Sequence, residues 1–185
     1  MSHTRNVFLI GPMGSGKTAV GRRLARSLKC AFYDSDVEIE RRTGVDIPYI
    51  FHKEGELGFR EREREVIDSL TQLENVVIAT GGGAVLLPEN RECLARRGCV
   101  VYLSTGIEQQ LERTRRGRGR PLLYTADPEA KLRELMVHRA PLYESLAAIT
   151  VQTDLRRVRE VVNEVLLRLE ELPGRAAAAS ASAGG

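Results

Sequence analysis

A short apolar run, Val7 to Ile10, passes directly into Gly11-Pro12-Met13-Gly14-Ser15-Gly16-Lys17-Thr18. This octet fits G-x-x-x-x-G-K-[ST] at every fixed position, and it constrains the fold more than any other stretch of the chain. Glycines let the backbone curl so that its N–H groups converge on one point; a side chain there would block the turn or the close approach. Converging amides bind an anion, and a helix starting at Lys17 adds the positive end of its dipole. Val20, Leu24, Ala25 and Leu28 give that helix an apolar face. Strand, loop and helix in this order form a nucleoside-triphosphate site. Gly14, Ser15, Gly16 and Ala19 are its expected ATP-binding loop positions, Lys17 sets a charge against the β- and γ-phosphates, and Thr18 offers a hydroxyl to Mg²⁺.

Length and composition bound what surrounds this loop. The 185 residues suit one domain with a substantial core, and 42% hydrophobic with 29% charged residues is the balance of a soluble globular chain. Apolar runs are too short to span a membrane, and the N-terminal one is too brief for a signal peptide. Cys30, Cys93 and Cys99 show no metal or redox spacing, so buried free thiols in a reducing cytoplasm are expected. The net charge is only +3, yet 24 arginines face 4 lysines. Genome composition is one source of that bias. The other is chemical, since Arg pairs bidentately with carboxylate and phosphate. A nucleic-acid surface is disfavoured because charge is nearly balanced and no basic stripe is interleaved with aromatics.

Short apolar runs alternate with helical patterns, which predicts βαβ units and a parallel sheet. Strands are expected near 5–10, 31–34, 75–79, 98–103 and 147–152. Helices are expected at 17–29, 36–43, 47–52, 56–71, 88–96, 107–115, 127–143 and 154–170. The stretch around 116–124, with two glycines and a proline among arginines, reads as a mobile basic loop able to act as a lid. Residues 173–185 are small-residue low complexity and read as a disordered tail without a catalytic part.

Candidate chemistry gathers at strand ends, where open α/β sheets place their ligands. Asp34 and Asp36 end the second strand and face the mouth of the phosphate loop. One can orient Mg²⁺ through water and the other accept a proton from a hydroxyl, while capping of the next helix is the other use of Asp36. Arg60 follows Phe59 at the inner end of a charged helix and is singled out as facing the cleft. The remaining charges there read as a solvated face. Gly81, Gly82 and Gly83 follow the third strand and permit backbone amides to approach a ligand, with a plain tight turn as the alternative. No Asp ends that strand, so Asp34 is the available metal partner. Arg113, Arg115, Arg116, Arg118 and Arg120 crowd the lid region, where one or two can stabilise charge on a transferred phosphoryl. Pro141 interrupts a helix, which either aims Arg139 into the cleft or marks a helix end.

These residues together resemble shikimate kinase. The phosphate loop GPMGSGKT, Asp34-Ser35-Asp36, Phe59-Arg60, Gly81 to Gly83, Arg120-Pro121-Leu122 and Arg139 through Tyr143 occur in that family's order and spacing, from residue 5 to about 170. The resemblance implies a P-loop NTPase-type α/β/α fold, nucleoside-monophosphate-kinase-like, with a five-stranded parallel sheet ordered 2-3-1-4-5 and a closing lid. It implies a kinase domain over 1–172, with a substrate region about 34–62 and a lid about 114–125. It also implies an ATP-dependent phosphotransferase with an alcohol acceptor, phosphorylating the 3-hydroxyl of shikimate on the route to chorismate and aromatic amino acids. By residue, it implies Asp36 as base or orienter, Arg60 and Arg139 on the substrate carboxylate, and Gly82, between Gly81 and Gly83, as a backbone contact. Thr18 would ligate Mg²⁺ with Asp34 behind it through water, and Lys17 and Arg120 would stabilise the moving phosphoryl. Arg113 and Arg156 would lie on the adenine side of ATP, Arg157 being the other arginine of that loop. A cytoplasmic monomer acting on shikimate and ATP, with neither nucleic acid nor membrane as partner, is expected. Two rivals stand beside it: another small-molecule P-loop kinase, acting on gluconate or a nucleoside monophosphate, and a non-catalytic nucleotide- or nucleic-acid-binding module. Fold alone does not separate the kinases; Arg60, Arg139 and the glycine turn favour a compact hydroxylated acid.

Overall fold

The computed structural model describes residues 6–115 and 121–172. Arg116, Arg118, Arg120 and the tail 173–185 lie outside the described residues, so the expected lid is described only at its two ends. Five strands, β1 (Val7–Ile10), β2 (Ala31–Asp34), β3 (Val76–Ala79), β4 (Cys99–Ser104) and β5 (Ile149–Gln152), form one parallel sheet in the order β2-β3-β1-β4-β5. This is the expected fold class and strand order.

Strand β1 shows why the sheet has two layers around it. Its four side chains are all buried, the mark of a central parallel strand covered on both faces. Phe8 and Ile10 point into one core, which Ile39, Val66, Ile67, Leu94 and Tyr143 complete. Val7 and Leu9 point into the other, with Val20, Leu24, Val161 and Val165. The period of two along the strand thus separates the helices. On one face pack α2 (Ser35–Thr43), α3 (Ile47–Thr71), α4 (Pro88–Arg97) and α6 (Pro128–Leu146). On the other pack α1 (Lys17–Leu28) and α7 (Val158–Glu171). Helix α5 (Ile107–Thr114) and 3₁₀ turns at Ala84–Leu86 and Pro121–Leu123 complete the described elements.

Three expectations are corrected. First, the last helix begins at Val158, not 154. Leu155 takes a left-handed φ of 55°, while the Asp154 carboxylate accepts from Gly106 N at 3.0 and 2.9 Å and from the Thr105 hydroxyl. The loop is held to the exit of β4 instead of entering the helix. Second, α6 runs through Pro141 to Leu146. The proline leaves the Val137 carbonyl without its helical partner, but Val137 is 71% exposed, so water can replace that bond, and burial of Tyr143 beyond it holds the last turn. Third, only Cys99 is buried; Cys30 and Cys93 are partly exposed. The two expected helices 47–52 and 56–71 are the two stretches of α3, which meet at a kink at Gly55, whose φ of 69° and ψ of −174° are not helical.

Candidate active site

Central strand β1 pairs with β3 on one side and β4 on the other, so a crevice opens at its carboxyl end, and the phosphate loop fills it. Gly14 and Gly16 adopt φ of 79° and 87°, which a residue with a Cβ adopts only under strain. Ser15 is buried inside the loop. Lys17 Nζ donates to the carbonyl oxygens of Gly11 and Pro12 at 2.7 Å each, lying along the loop. Thr18 and Ala19 follow on the first, exposed turn of α1.

Asp34 joins this loop to the next strand. Thr18 Oγ1 donates to its Oδ2 at 2.7 Å, and its Oδ1 accepts from the backbone N–H of Asp36 at 3.1 Å and of Val37 at 3.5 Å. Asp34, not Asp36, therefore caps α2, which closes the capping alternative for Asp36 and leaves its carboxylate for other work. Asp36 Oδ1 is wholly buried and has no hydrogen-bond partner among the described residues. Burial first, then the like charges of Glu63 and Asp34, push its pKa up to about 7, against the pull of Lys17 and Arg60. A carboxylate poised near neutrality is suited to accept a proton.

Arg60, Arg139 and Asp36 line one cavity of about 120 Å³, with Gly81, Gly82 and Gly83 between them. That is far below the roughly 300–1,000 Å³ of a drug-sized site, so the cavity fits a compact ligand. Arg60 is 7% and Arg139 3% exposed. Arg60 Nη1 donates to Glu63 Oε2 at 2.6 Å, and its Nη2 to Glu56 Oε1 at 2.9 Å. Burial lowers its basicity, but the Glu63 and Glu56 carboxylates outweigh burial and raise it. Arg139 has a lowered pKa, from burial first and also from the Arg60 charge beside it. Two buried guanidiniums lining one cavity can bind an anion, and a guanidinium's flat fork suits a carboxylate.

The glycine turn is required by space here, not by dihedral angle. None of the three has a positive φ. A Cβ on Gly81 would come to 2.5 Å from Glu63 Oε1 and 2.8 Å from Asp36 Oδ1, and one on Gly83 would land on the Arg60 guanidinium. The turn is also tied down: Gly81 N donates to Ser35 Oγ at 2.9 Å, and the Tyr143 hydroxyl donates to the Gly82 carbonyl oxygen. Tyr143 stacks on Tyr102 with ring centroids 5.0 Å apart.

The two arginines expected on the adenine side, Arg113 and Arg156, are less alike. Arg113 Nη1 donates to the Gly14 carbonyl at 2.9 Å and Nη2 to the Thr153 carbonyl at 3.0 Å, so it braces the phosphate loop against the exit of β5. Arg156 instead donates to Gln152 O at 3.0 Å and to Glu164 at 2.6 Å, on β5 and α7. Arg120 lies outside the described residues. The residue overlooked in the sequence is Glu63, read there as part of a solvated face. It is fully buried, its Oε1 lacks a partner among the described residues, and burial raises its pKa against the pull of Arg60. The signal was present: Phe59, Glu63, Val66, Ile67 and Leu70 form one helical stripe, with the glutamate inside it.

Fold and site together define a P-loop phosphotransferase of the small-molecule kinase class. The sequence profile of shikimate kinase matches residues 13–170. The chain belongs to the shikimate kinase family. It is 56% identical over 171 residues to the shikimate kinase of Pseudomonas syringae pv. tomato, covering 92% of this chain and 99% of that one. It is 55% identical over 162 residues to that of Legionella pneumophila (strain Corby), covering 88% and 93%. Among solved structures, shikimate kinase from Acinetobacter baumannii in complex with shikimate superposes with a TM-score of 0.89 at 50% identity, covering 90% of this chain and 94% of that one. A gluconokinase from Sinorhizobium meliloti shares the fold alone, at 18% identity and a TM-score of 0.57.

Proposed function

We propose that this chain transfers the γ-phosphoryl group of ATP to the 3-hydroxyl of shikimate, giving shikimate 3-phosphate and ADP on the route to chorismate. One observation carries the reading: two buried arginines and an aspartate with an unpartnered oxygen share a small cavity beside the phosphate loop. An acid with ring hydroxyls satisfies both ends at once. Arg60 and Arg139 hold its carboxylate, Gly82 offers a backbone contact between Gly81 and Gly83, and Asp36 orients the reacting hydroxyl and takes its proton. Holding both partners still supplies much of the rate, because phosphoryl transfer asks mainly for positioning and charge stabilisation. A nucleotide acceptor is less well matched, because the cavity is compact and its cations sit in a buried pair.

Gly14, Ser15, Gly16 and Ala19 bind the nucleotide phosphates. Lys17 stabilises the transferred group, and Arg120 from the lid joins it. The donor set also fits Mg²⁺. A Thr18 hydroxyl and an Asp34 carboxylate lie 2.7 Å apart at the loop, hard oxygen ligands for a cation that otherwise takes phosphate and water oxygens. Bound there, Mg²⁺ would neutralise charge on the β- and γ-phosphates. Arg113 and Arg156 serve the adenine side. The domain reading is one kinase unit over 1–172, with a substrate region 34–62, a lid 114–125 that closes to exclude water, and a tail 173–185 outside catalysis. Among the described residues no helix is long and apolar enough to cross a membrane. We read the protein as a cytoplasmic monomer with small-molecule partners only.

A coupled ADP-release assay with shikimate, gluconate and nucleoside monophosphates tests the reading: turnover is expected with shikimate, and turnover only with another acceptor overturns it. Arg139→Lys is expected to raise the KM for shikimate about 10–100-fold, the worth of one or two charge-assisted hydrogen bonds, while the KM for ATP stays within about twofold. Equal changes in both constants would remove Arg139 from the acid pocket.

A further inference from the structure

Glu56 has no part in the chemistry just described, yet its carboxylate lies on the arginine that would hold the substrate. Its Oε1 accepts from Arg60 Nη2 at 2.9 Å and from Nε at 3.3 Å, so one side edge of the guanidinium is occupied. The two carboxylates on Arg60 are not equivalent. Glu63 is buried, with a side chain 1% exposed, and makes the shorter contact, 2.6 Å to Nη1. Glu56 has a side chain 46% exposed. One is part of the wall, and the other stands at the rim with water available to it.

The backbone around Glu56 is also unlike the rest of α3. The residue before it, Gly55, breaks the helix with φ of 69° and ψ of −174°, and a Cβ there would meet nothing within 4 Å. Glycine is therefore suited to this position by its backbone angle and not by lack of space. Glu56 is the first residue of the second helical stretch. Across the break, Arg62 donates to both Glu54 oxygens at 2.7 and 2.8 Å, so the joint is bridged while Glu56 sits directly beside it. The cavity wall already carries Glu63 and Asp36 close to Arg60 and Arg139. A substrate carboxylate arriving there meets Glu63 and Glu56 already on Arg60. Like charges sharing one guanidinium repel, and the solvent-facing one is the easier to move.

Resting on the acid-pocket reading, we propose that Glu56 is a resident carboxylate that occupies Arg60 until the substrate's carboxylate displaces it, and so sets the affinity for the acid without taking part in transfer. The arrangement keeps the Nε–Nη2 edge of the arginine paired while the pocket is unfilled, Glu63 holding Nη1. It also demands a carboxylate of the ligand, since a neutral molecule does not replace the bond that Glu56 gives up.

Glu56→Gln tests this, because it keeps the side chain's size and removes its charge. Shikimate binding by calorimetry on the full chain is expected to tighten about two- to fivefold, the worth of a half-exposed ion pair, and the KM for shikimate to fall by the same factor, with kcat and the KM for ATP within about twofold. Glu56→Ala is expected to change affinity in the same direction. A shikimate analogue with the carboxylate reduced to a hydroxymethyl group is expected to bind both forms equally weakly. Unchanged or weaker shikimate binding by the Gln variant would overturn the proposal and make Glu56 a support of Arg60 instead. If the unsubstituted chain neither binds nor turns over shikimate, the acid-pocket reading itself has failed, an outcome the Gln variant does not mimic.

Discussion

Asp36→Asn is expected to lower kcat about 10²–10⁴-fold, the usual worth of a positioned base, while ATP affinity stays nearly intact. The substitution is close to isosteric, so the pocket keeps its shape. What changes is proton affinity: a carboxylate whose pKa is pushed up to about 7 can accept the proton of the attacking hydroxyl, and an amide cannot. The same variant is expected to be at least as stable as the unsubstituted chain. Glu63 Oε1 and Asp36 Oδ1 are both buried without partners among the described residues, and both lie within 3 Å of the point where a Cβ on Gly81 would stand, at 2.5 and 2.8 Å. An amide at position 36 brings a donor to this pair of acceptors and removes a buried like charge. Lower activity with an unchanged or higher Tm would mark strain kept for function. Turnover comparable to that of the unsubstituted chain would contradict the role of base or orienter, and a large drop in Tm would show that Asp36 acts as a structural group.

The parts of this site that were legible in the sequence are the local ones. The phosphate loop follows from glycine geometry within eight residues, and β1 reads as a strand because all four of its side chains face a core. Asp34 and Asp36 were legible because the end of a parallel strand has only one place to point. Long-range choices were not. Which aspartate caps α2 depends on Thr18 holding the Asp34 carboxylate from another element. Helix α6 passes Pro141 because Tyr143 is anchored in the core and bonded to Gly82, 61 residues away. The start of α7 moves because Asp154 reaches Gly106, 48 residues earlier. Glu63 was misread for a different reason. Its neighbours on either side, Arg62 and Arg64, are charged and only half-buried, and only the stripe at helical spacing distinguishes it from them. Arg60 was found by its place next to Phe59, but its two carboxylate partners, which decide its charge state and reach, were not.

Gly83→Ala is expected to raise the KM for shikimate about 100-fold or more, with little change in that for ATP. The backbone is no obstacle, since φ of −94° and ψ of 1° are open to alanine. The obstacle is Arg60. A methyl group at position 83 would stand 2.5 Å from both Cζ and Nη1 and closer still to Nη2. A guanidinium at the end of a free side chain would step aside cheaply, but this one is fixed by Glu63 on one edge and Glu56 on another, with Phe59 5.2 Å from its centre. To yield, it must leave Glu63, stranding a buried carboxylate, and must turn its donors away from the cavity. Gly82→Ala serves as the control one residue away. Its Cβ would meet Met13 N at 3.4 Å and Arg139 Nη1 at 3.6 Å, near-ordinary contacts, so its effect on the shikimate KM is expected to stay below about tenfold. A glycine turn needed only for chain reversal would make the two substitutions equally harmful or equally mild. A large effect at 83 beside a small one at 82 ties the turn to the arginine stacked on it.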